Sequence, residues 1–475
     1  MKRIILGLAI FSSAFAQESL EDLKRQLEEQ RKLIEELQRK IEALEKEKVQ
    51  EPTTQVKEET QKPAPADRTL QLRLKYDDRL KAYQVSPFRQ TAFLPDISFI
   101  VDTSLVFRNK DDQLYKKLEI PGLYHRHTHE GHAHGELNEK RGFNLNYGEL
   151  YLYAPVDPYF DLYATIPFSE EGSEIEEAYA VTRGLPFGFQ FKVGKFRSSF
   201  GRLNAQHPHV WDFANQPLVY KVFLGDDGLK EKGVQINWLA PTPFYLLFGA
   251  EVLQGENEQS FGTEGFEKGG ISVGDARKPN LYVGFVKTSF DVGNLSVLTG
   301  LSFATGKSRI NHLDDKNPHA FAGKTKLYGF DLTARYSIDS YRYVSFQGEY
   351  LYRDQKGTRY DYDNQGNLEA LRYLSKKQGG FYAQLVWRFA PRWRAGIQYN
   401  LINKNDVKVN GVKRELSSHL PAYYAMLEYN PTEFSRIRLQ VGQNKAFFYG
   451  GQRKTVNEVI LQFNFAIGAH GAHPF

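Results

Sequence analysis

Apolar and polar residues alternate along most of the chain beyond residue 95. In residues 187–194, for example, Phe and Val at the odd positions alternate with Gly, Gln and Lys at the even ones. A period of two places successive side chains on opposite faces of a β-strand. About sixteen segments show this pattern, each near the length that a tilted membrane-crossing strand requires: 96–108, 143–154, 158–168, 173–183, 186–197, 232–239, 243–253, 279–290, 295–305, 325–338, 341–352, 379–389, 392–402, 420–430, 433–444 and 456–467.

Short and long connections alternate between these segments. The short ones are a few residues each, such as PVDP, APTP, DVGN and NPT. Short turns on one rim and long loops on the other are typical of outer-membrane barrels, in which the short turns face the periplasm. The pattern therefore predicts an all-β transmembrane β-barrel of about 16 antiparallel strands rather than a soluble all-β protein. The long connections are 109–142, 198–231, 254–278, 306–324, 353–378 and 403–419.

The composition agrees with this fold class and narrows the function. Mean hydropathy is −0.53 with 14% aromatic residues, and no apolar run beyond the N-terminus is long enough for a transmembrane helix. A net charge of +5 is too close to neutrality for a typical nucleic-acid-binding protein. The absence of cysteine excludes a disulfide framework. No nucleophile with a neighbouring base stands out, so we expect no enzymatic activity.

The residues before the barrel divide into three predicted segments. Residues 1–16 have the basic start, apolar centre and Ala-Phe-Ala end of a secretory signal peptide. Residues 17–48 carry apolar residues at a and d heptad positions, which predicts a periplasmic coiled coil. Residues 49–94 are polar and contain several prolines, which indicates a linker. The barrel then occupies residues 95–475, and the chain is expected in the outer membrane of a Gram-negative-type cell.

The coiled coil predicts an oligomer, because its narrow apolar stripe needs a partner helix to bury it. The pattern leaves a dimer and a trimer open, although a barrel of this kind favours a homotrimer. A structural role also stays open, in which the coiled coil contacts the cell wall and tethers the outer membrane to it.

The connection 198–231 is the third on its rim when the short connection 169–172 is counted, and it is called the third long loop. Its composition differs from that of an ordinary loop. Aromatic residues are interspersed with charged ones between residues 195 and 230. We expect this loop to fold into the lumen, where its apolar residues brace the wall and its charges narrow the pore. Strand parity points several arginines inward, where they either attract anions or pair with Asp331, Glu349 and the loop acids. The predicted constriction comprises Lys195, Arg197, Arg202, Asp212, Lys221, Asp226, Asp227, Arg335, Arg388, Arg394, Arg436 and Arg438.

The segments LPDISFIVDTSLVFRN, NYGELYLYAPVDPYFDLYA, EEAYAVTRGLPFGFQFKVGKFRSSFGRLN and QPLVYKVFLGDDGLKEKGVQINWLAP carry a family resemblance. They resemble the phosphate-selective porin O and P superfamily, and within it barrels labelled zinc-regulated TonB-dependent outer membrane receptors. The resemblance covers residues 95–260. It implies a trimeric passive channel whose third loop folds inward.

The first long loop contains the histidine-rich sequence YHRHTHEGHAH. Imidazoles two residues apart in an extended chain lie on one side of it, where Zn²⁺ or another divalent metal would bind. A zinc or divalent-metal acquisition channel is therefore an alternative to a porin for small hydrophilic solutes or ions, although no cofactor is required for either. We interpret His207 and His209 as structural residues hydrogen-bonded within the third loop. The predicted metal ligands are His125, His127, His129, His132 and His134.

Overall fold

Sixteen antiparallel strands form a closed barrel in the computed structural model, which describes residues 95–125, 137–170, 172–314 and 317–468. The first strand pairs with the second and also with the last, where Leu105 lies opposite Leu461. The number and order of the strands confirm the prediction from alternation. The predicted signal peptide, coiled coil and linker lie outside the described residues.

The barrel strands are numbered in chain order. Their bounds are β1 Asp96–Arg108, β2 Gly142–Pro155, β3 Phe160–Ser169, β4 Glu177–Thr182, β5 Phe189–Arg197, β6 Lys230–Leu239, β7 Tyr245–Leu253, β8 Leu281–Val292, β9 Leu295–His312, β10 His319–Ser337, β11 Tyr343–Tyr362, β12 Leu368–Ala390, β13 Trp393–Val409, β14 Leu420–Thr432, β15 Ser435–Asn444 and β16 Val456–Gly468.

The connections contain short elements of their own. Two α-helices, α1 Asp112–Tyr115 and α2 Leu218–Leu224, lie in the first and third long loops. Neither of these helices is long and apolar enough to cross a membrane. The remaining elements are 3-10 helices at Pro186–Gly188, Leu203–Ala205 and Pro208–Val210, and short strands at Glu119–Ile120, Tyr124–His125, Gly172–Ser173, Phe266–Lys268, Ile271–Val273, Val412–Lys413, Phe448–Tyr449 and Gln452–Arg453.

The two faces of the barrel differ in polarity. On β13, Trp393 and Ile397 are exposed on the outside, whereas Gln398 and Asn400 are buried on the inside. Aromatic rings stack side by side around the exterior, as in the pair Trp393 and Tyr429, whose ring centroids are 4.7 Å apart. An apolar exterior with aromatic residues and a polar interior is the arrangement of a barrel that spans a lipid bilayer.

Strands β9 to β13 are longer than the sequence pattern predicts, at 17 to 23 residues. The predicted loops 306–324 and 353–378 are therefore largely strand, and so is the first part of 403–419. On β11 the outward side chains change from Tyr350 and Tyr352 to Asp354 and Lys356. Backbone pairing continues past this change, so the end of the hydrophobic alternation marks the lipid boundary and not the end of the strand.

Candidate functional site in the barrel lumen

The third long loop, residues 198–229, packs inside the barrel. Phe200 and Phe223 are fully buried, and all seven residues of α2 are buried as well. Their neighbours in the apolar core include Leu281 on β8, Leu327 on β10 and Leu351 on β11. Helix α2 also contacts β11, β12 and β13, and the N–H of Leu218 donates to Asn400 of β13. Because β13 lies eight strands from β5 in the ring of sixteen, the loop occupies the space between opposite walls.

Glu349 of β11 fastens this loop to the wall. Its carboxylate accepts hydrogen bonds from the backbone N–H groups of Arg202 and Leu203 at 2.8 and 2.9 Å. It also accepts bonds from the hydroxyls of Tyr220 and Tyr382, each at 2.6 Å. Burial and the Glu349 charge raise the pKa of Tyr220 well above its usual value, so this hydroxyl stays protonated and donates.

A second attachment involves five charged residues, the arginine cluster: Asp212, Arg394, Glu428, Arg436 and Arg438. Arg394 bonds Asp212 at 2.9 Å and Glu428 at 2.7 Å, so it joins the loop to β13 and β14. Arg438 of β15 donates to Glu428 at 2.8 Å and to the carbonyl oxygen of Trp211 at 2.7 Å. Arg436 Nε lies 3.8 Å from Glu428, and this Nε hydrogen-bonds to none of the described residues.

The other end of the loop borders a cavity on the side of the long connections. Lys221 forms an ion pair with Asp226 at 3.0 Å, and Tyr124 donates to the same carboxylate at 2.8 Å. Arg197 donates to the carbonyl oxygen of Asp227 at 3.1 Å. The volume of this cavity that the centre of a water molecule can reach is about 80 Å³. Its lining combines these four loop and strand charges with Arg108 and Glu458, among other residues.

The remaining predicted constriction residues are dispersed. Arg335 stacks on the ring of Tyr343, and Arg388 donates to the carbonyl oxygen of Pro391, so both lie near the rim of short turns. Lys195 donates to the carbonyl oxygen of Ile175. The structure thus separates the predicted set into the arginine cluster, the cavity lining, Arg202 beside Glu349, and residues near the ends of strands.

The histidine-rich segment is described only at its start. His125 Nδ1 lies 3.1 Å from a carboxylate oxygen of Glu119, on the neighbouring short strand. Its four companions, His127, His129, His132 and His134, lie outside the described residues. The predicted loop metal site therefore stays a prediction.

His207 hydrogen-bonds Glu177 of β4, so for this residue the interpretation of hydrogen bonding within the third loop is wrong. His209 Nδ1 lies 3.6 Å from Glu149 of β2, and for this residue the interpretation stays a prediction. His207 Nε2 is 2.8 Å from Glu177. His207 Nδ1 is 3.4 Å from Glu149 and 3.5 Å from Glu176. Burial lowers the pKa of His207, but the three carboxylates outweigh burial and raise it well above its usual value.

Two acids that organise the lumen were not predicted as site residues from the sequence. Glu149 and Glu428 stand at inward-facing positions of otherwise apolar strands, a signal that strand parity could have identified. One of the two alternatives for the inward arginines pairs them with Glu349, whose carboxylate accepts hydrogen bonds from backbone N–H groups and tyrosine hydroxyls. The partner of each inward acid depends on the path of the third loop, which has no periodicity from which it could be predicted.

Comparison with known proteins finds a relative along the whole chain. The chain is 70% identical over 479 residues to an uncharacterized protein of Aquifex aeolicus (strain VF5), with 100% of each chain covered. No family model matches the chain. The resemblance to the phosphate-selective porin O and P superfamily, and to barrels labelled zinc-regulated TonB-dependent receptors, therefore stays a prediction.

Solved structures with a similar barrel include two channel proteins. The outer membrane channel DcaP of Acinetobacter baumannii is 10% identical, with 78% of this chain and 97% of that chain covered and a TM-score of 0.45. The anion-selective porin from Comamonas acidovorans is 14% identical, with 78% and 99% covered and a TM-score of 0.43.

Proposed function

We propose that this chain, which belongs to the same family as the uncharacterized protein of Aquifex aeolicus, is an outer-membrane porin that lets small hydrophilic solutes or ions diffuse passively through a narrow lumen. The apolar exterior and polar interior of its closed barrel support a position in the bilayer. The predicted signal peptide supports export to that membrane. A passive channel needs no catalytic residues, and we propose none.

The path of the third loop is the observation that carries this proposal. The loop leaves the wall after β5 and is bonded to Glu349 on β11, to Asn400 on β13 and to Gln440 on β15 before it returns to β6. A segment that is bonded to the wall at several points narrows the lumen and leaves the strand pairing of the barrel intact. Its charged residues border the remaining space, where they face a passing solute at short range.

The arginine cluster supports a weak preference for anions. Its three guanidinium groups face two carboxylates, those of Asp212 and Glu428, which leaves one net positive charge. Arg436 is the member with the weakest pairing, since its Nε is 3.8 Å from Glu428. An unbalanced charge in a narrow, low-dielectric passage attracts ions of the opposite sign more strongly than the same charge in bulk water.

Single-channel recording from the purified full chain in a planar bilayer tests the proposal. We expect discrete conductance steps, and a zero-current potential in a salt gradient whose sign corresponds to a modest anion preference. A variant in which residues 204–216 are replaced by a short Gly-Ser linker should conduct more, because it lacks the segment that crosses the lumen. A folded barrel without conductance steps in either form would contradict the porin function.

The two alternatives from the sequence are not favoured by a specific contact. Metal acquisition through the first long loop depends on histidines of which the structure describes His125 alone. Tethering to the cell wall depends on residues 17–48, which lie outside the described part of the chain. Both stay predictions.

A further inference from the structure

We infer that the third loop and the barrel wall form a buried binding site for a divalent transition metal, with Zn²⁺ as the best match. The proposed ligands are His207 and His209 of the third loop, Glu149 of β2, and Glu176 of the connection directly before β4. This inference goes beyond the porin function and does not depend on it. The site lies between the third loop and the wall, and it differs from the histidine-rich segment of the first long loop.

The donor atoms have the spacing of a metal coordination shell. His207 Nδ1 lies 3.4 Å from Glu149 Oε2 and 3.5 Å from Glu176 Oε2, and His209 Nδ1 lies 3.6 Å from Glu149 Oε2. In a tetrahedral zinc site with bonds of 2.0–2.1 Å, neighbouring ligand atoms are about 3.3 Å apart. The donor atoms of Glu149, Glu176 and His207 all lie within 4.8 Å of one another, which suits three ligands of one ion, and His209 Nδ1 approaches the same Glu149 oxygen.

The orientation of His207 provides an independent indication. Its Nε2 is 2.8 Å from Glu177 Oε2, a contact that keeps a proton on Nε2 and turns Nδ1 toward Glu149 and Glu176, where a metal ion would replace the Nδ1 proton. Nδ1 is buried and makes no hydrogen bond to the described residues, and His207 as a whole is 9% exposed. A carboxylate that orients a ligand histidine from behind is the usual second shell of a zinc site.

Charge balance also favours a divalent cation. The site brings together three buried carboxylates, those of Glu149, Glu176 and Glu177. The Arg197 guanidinium pairs with Glu176 and offsets one of these charges. A divalent cation held by two neutral imidazoles offsets the other two. Mixed nitrogen and carboxylate ligands match Zn²⁺ and its borderline neighbours better than Ca²⁺ or Mg²⁺, which prefer oxygen ligands alone.

A metal at this position would attach the third loop to the wall opposite Glu349. Glu149 belongs to the barrel, whereas His207 and His209 flank Pro208 in the loop. The ion would therefore bond the third loop to β2 of the wall. Without it, the contact of His207 with Glu177 of β4 joins the loop to the wall. Removal of the metal should increase the mobility of the loop without unfolding the strands.

Cobalt binding tests the site directly. The full chain is purified without a histidine tag, with His125, His127, His129, His132 and His134 all replaced by Gln so that the first loop does not contribute. After the protein is stripped with a chelator, Co²⁺ is added. We expect one ion per chain and the intense visible absorption of tetrahedral Co²⁺, followed by loss of that absorption when Zn²⁺ displaces the cobalt.

Substitutions locate the ion. In the same background, Glu149→Gln and His207→Gln should each weaken cobalt affinity at least about 100-fold, and Glu177→Gln should weaken it about 10- to 100-fold as an orienting residue. The matched control is His319→Gln, a histidine paired with His312 at 3.4 Å near the far rim, which should leave binding unchanged. Cobalt binding that survives His207→Gln in a folded barrel would overturn the assignment.

A measurement on the unsubstituted protein covers the case in which a variant fails to fold. Crystals grown with Zn²⁺ should give an anomalous peak at the zinc edge within bonding distance of His207 Nδ1 and Glu149 Oε2. The absence of that peak in a folded barrel would overturn the inference. Conductance is recorded separately, so a missing metal site and a missing channel are distinguishable outcomes.

Discussion

The hydroxyl of Tyr220 donates a 2.6 Å hydrogen bond to Oε2 of Glu349, which joins the helix of the third loop to strand β11. The same carboxylate holds two backbone N–H groups and the hydroxyl of Tyr382. We expect Glu349→Gln to lower the free energy of unfolding by about 2 kcal/mol, because bonds to an ionised acceptor are stronger than bonds to an amide. Thermal unfolding in detergent measures this change.

The current trace provides a second measurement for Glu349→Gln. A loosened loop should produce a noisier open state and a larger mean conductance. The matched control is Glu369→Gln, which removes an exposed acid near the tip of the β11–β12 hairpin. Equal stability and identical traces for both variants would show that Glu349 does not hold the loop.

Gly201 lies where the third loop passes this carboxylate. Its φ is +66°, and a Cβ added there would clash with Tyr220 Oη and Glu349 Oε2. Gly270 also has a positive φ, +74°, but an added Cβ would meet open space. We expect Gly201→Ala to destabilise the barrel by at least about 1 kcal/mol more than Gly270→Ala, since overpacking adds to the shared backbone strain. Parallel denaturation curves of the two variants check this difference.

Arg436 is the member of the arginine cluster that can be changed with the least structural cost. Arg436→Gln should shift the zero-current potential toward cations, because it removes one positive charge while Arg394 and Arg438 still pair with Glu428. Stability should change little, because Arg436 Nε and Nη2 make no hydrogen bond to the described residues and Gln therefore leaves no partner of these atoms unsatisfied. The control is Arg342→Gln, which breaks an exposed pair with Asp339 at a short turn. A shift of the same size in both variants would contradict a local role in selectivity.

Residues 17–48 can be tested independently of the barrel. A chain that lacks them should form pores with unchanged single-channel conductance, because the strand pairing begins with β1. If the coiled coil specifies the oligomer, native mass spectrometry of the deletion variant should show a smaller assembly or a weaker one. Loss of envelope integrity in cells together with unchanged conductance would support the tethering hypothesis.

The sequence predicted the strands of the barrel wall better than the contacts inside the lumen. Alternation located all sixteen strands, because lipid on one side and polar lumen on the other impose a period of two. It placed the ends of β11 and β12 wrongly, since residues such as Asp354 and Lys356 lie beyond the lipid and interrupt the pattern without interrupting the pairing.

The side-chain contacts inside the lumen were less predictable, because they join residues that are far apart in the chain. Glu149 and His207 are 58 positions apart in the chain, and neither residue indicates the other. The aromatic residues of the third loop did predict that it packs against something. The acid that accepts hydrogen bonds from the backbone N–H groups of this loop depends on the height at which the loop crosses the lumen. That height is set by the tertiary structure, so the local sequence does not predict it.

Strands β11 and β12 continue as a paired hairpin beyond Tyr352, where Asp354 and Lys356 follow on the outer face, as far as the turn at residues 363–367. Each added or removed pair of residues at that tip would change the height of the hairpin but keep the register, and therefore the facing, of every residue within the bilayer. In the proposed outer-membrane position, the length of this hairpin can therefore change without changing which residues line the lumen.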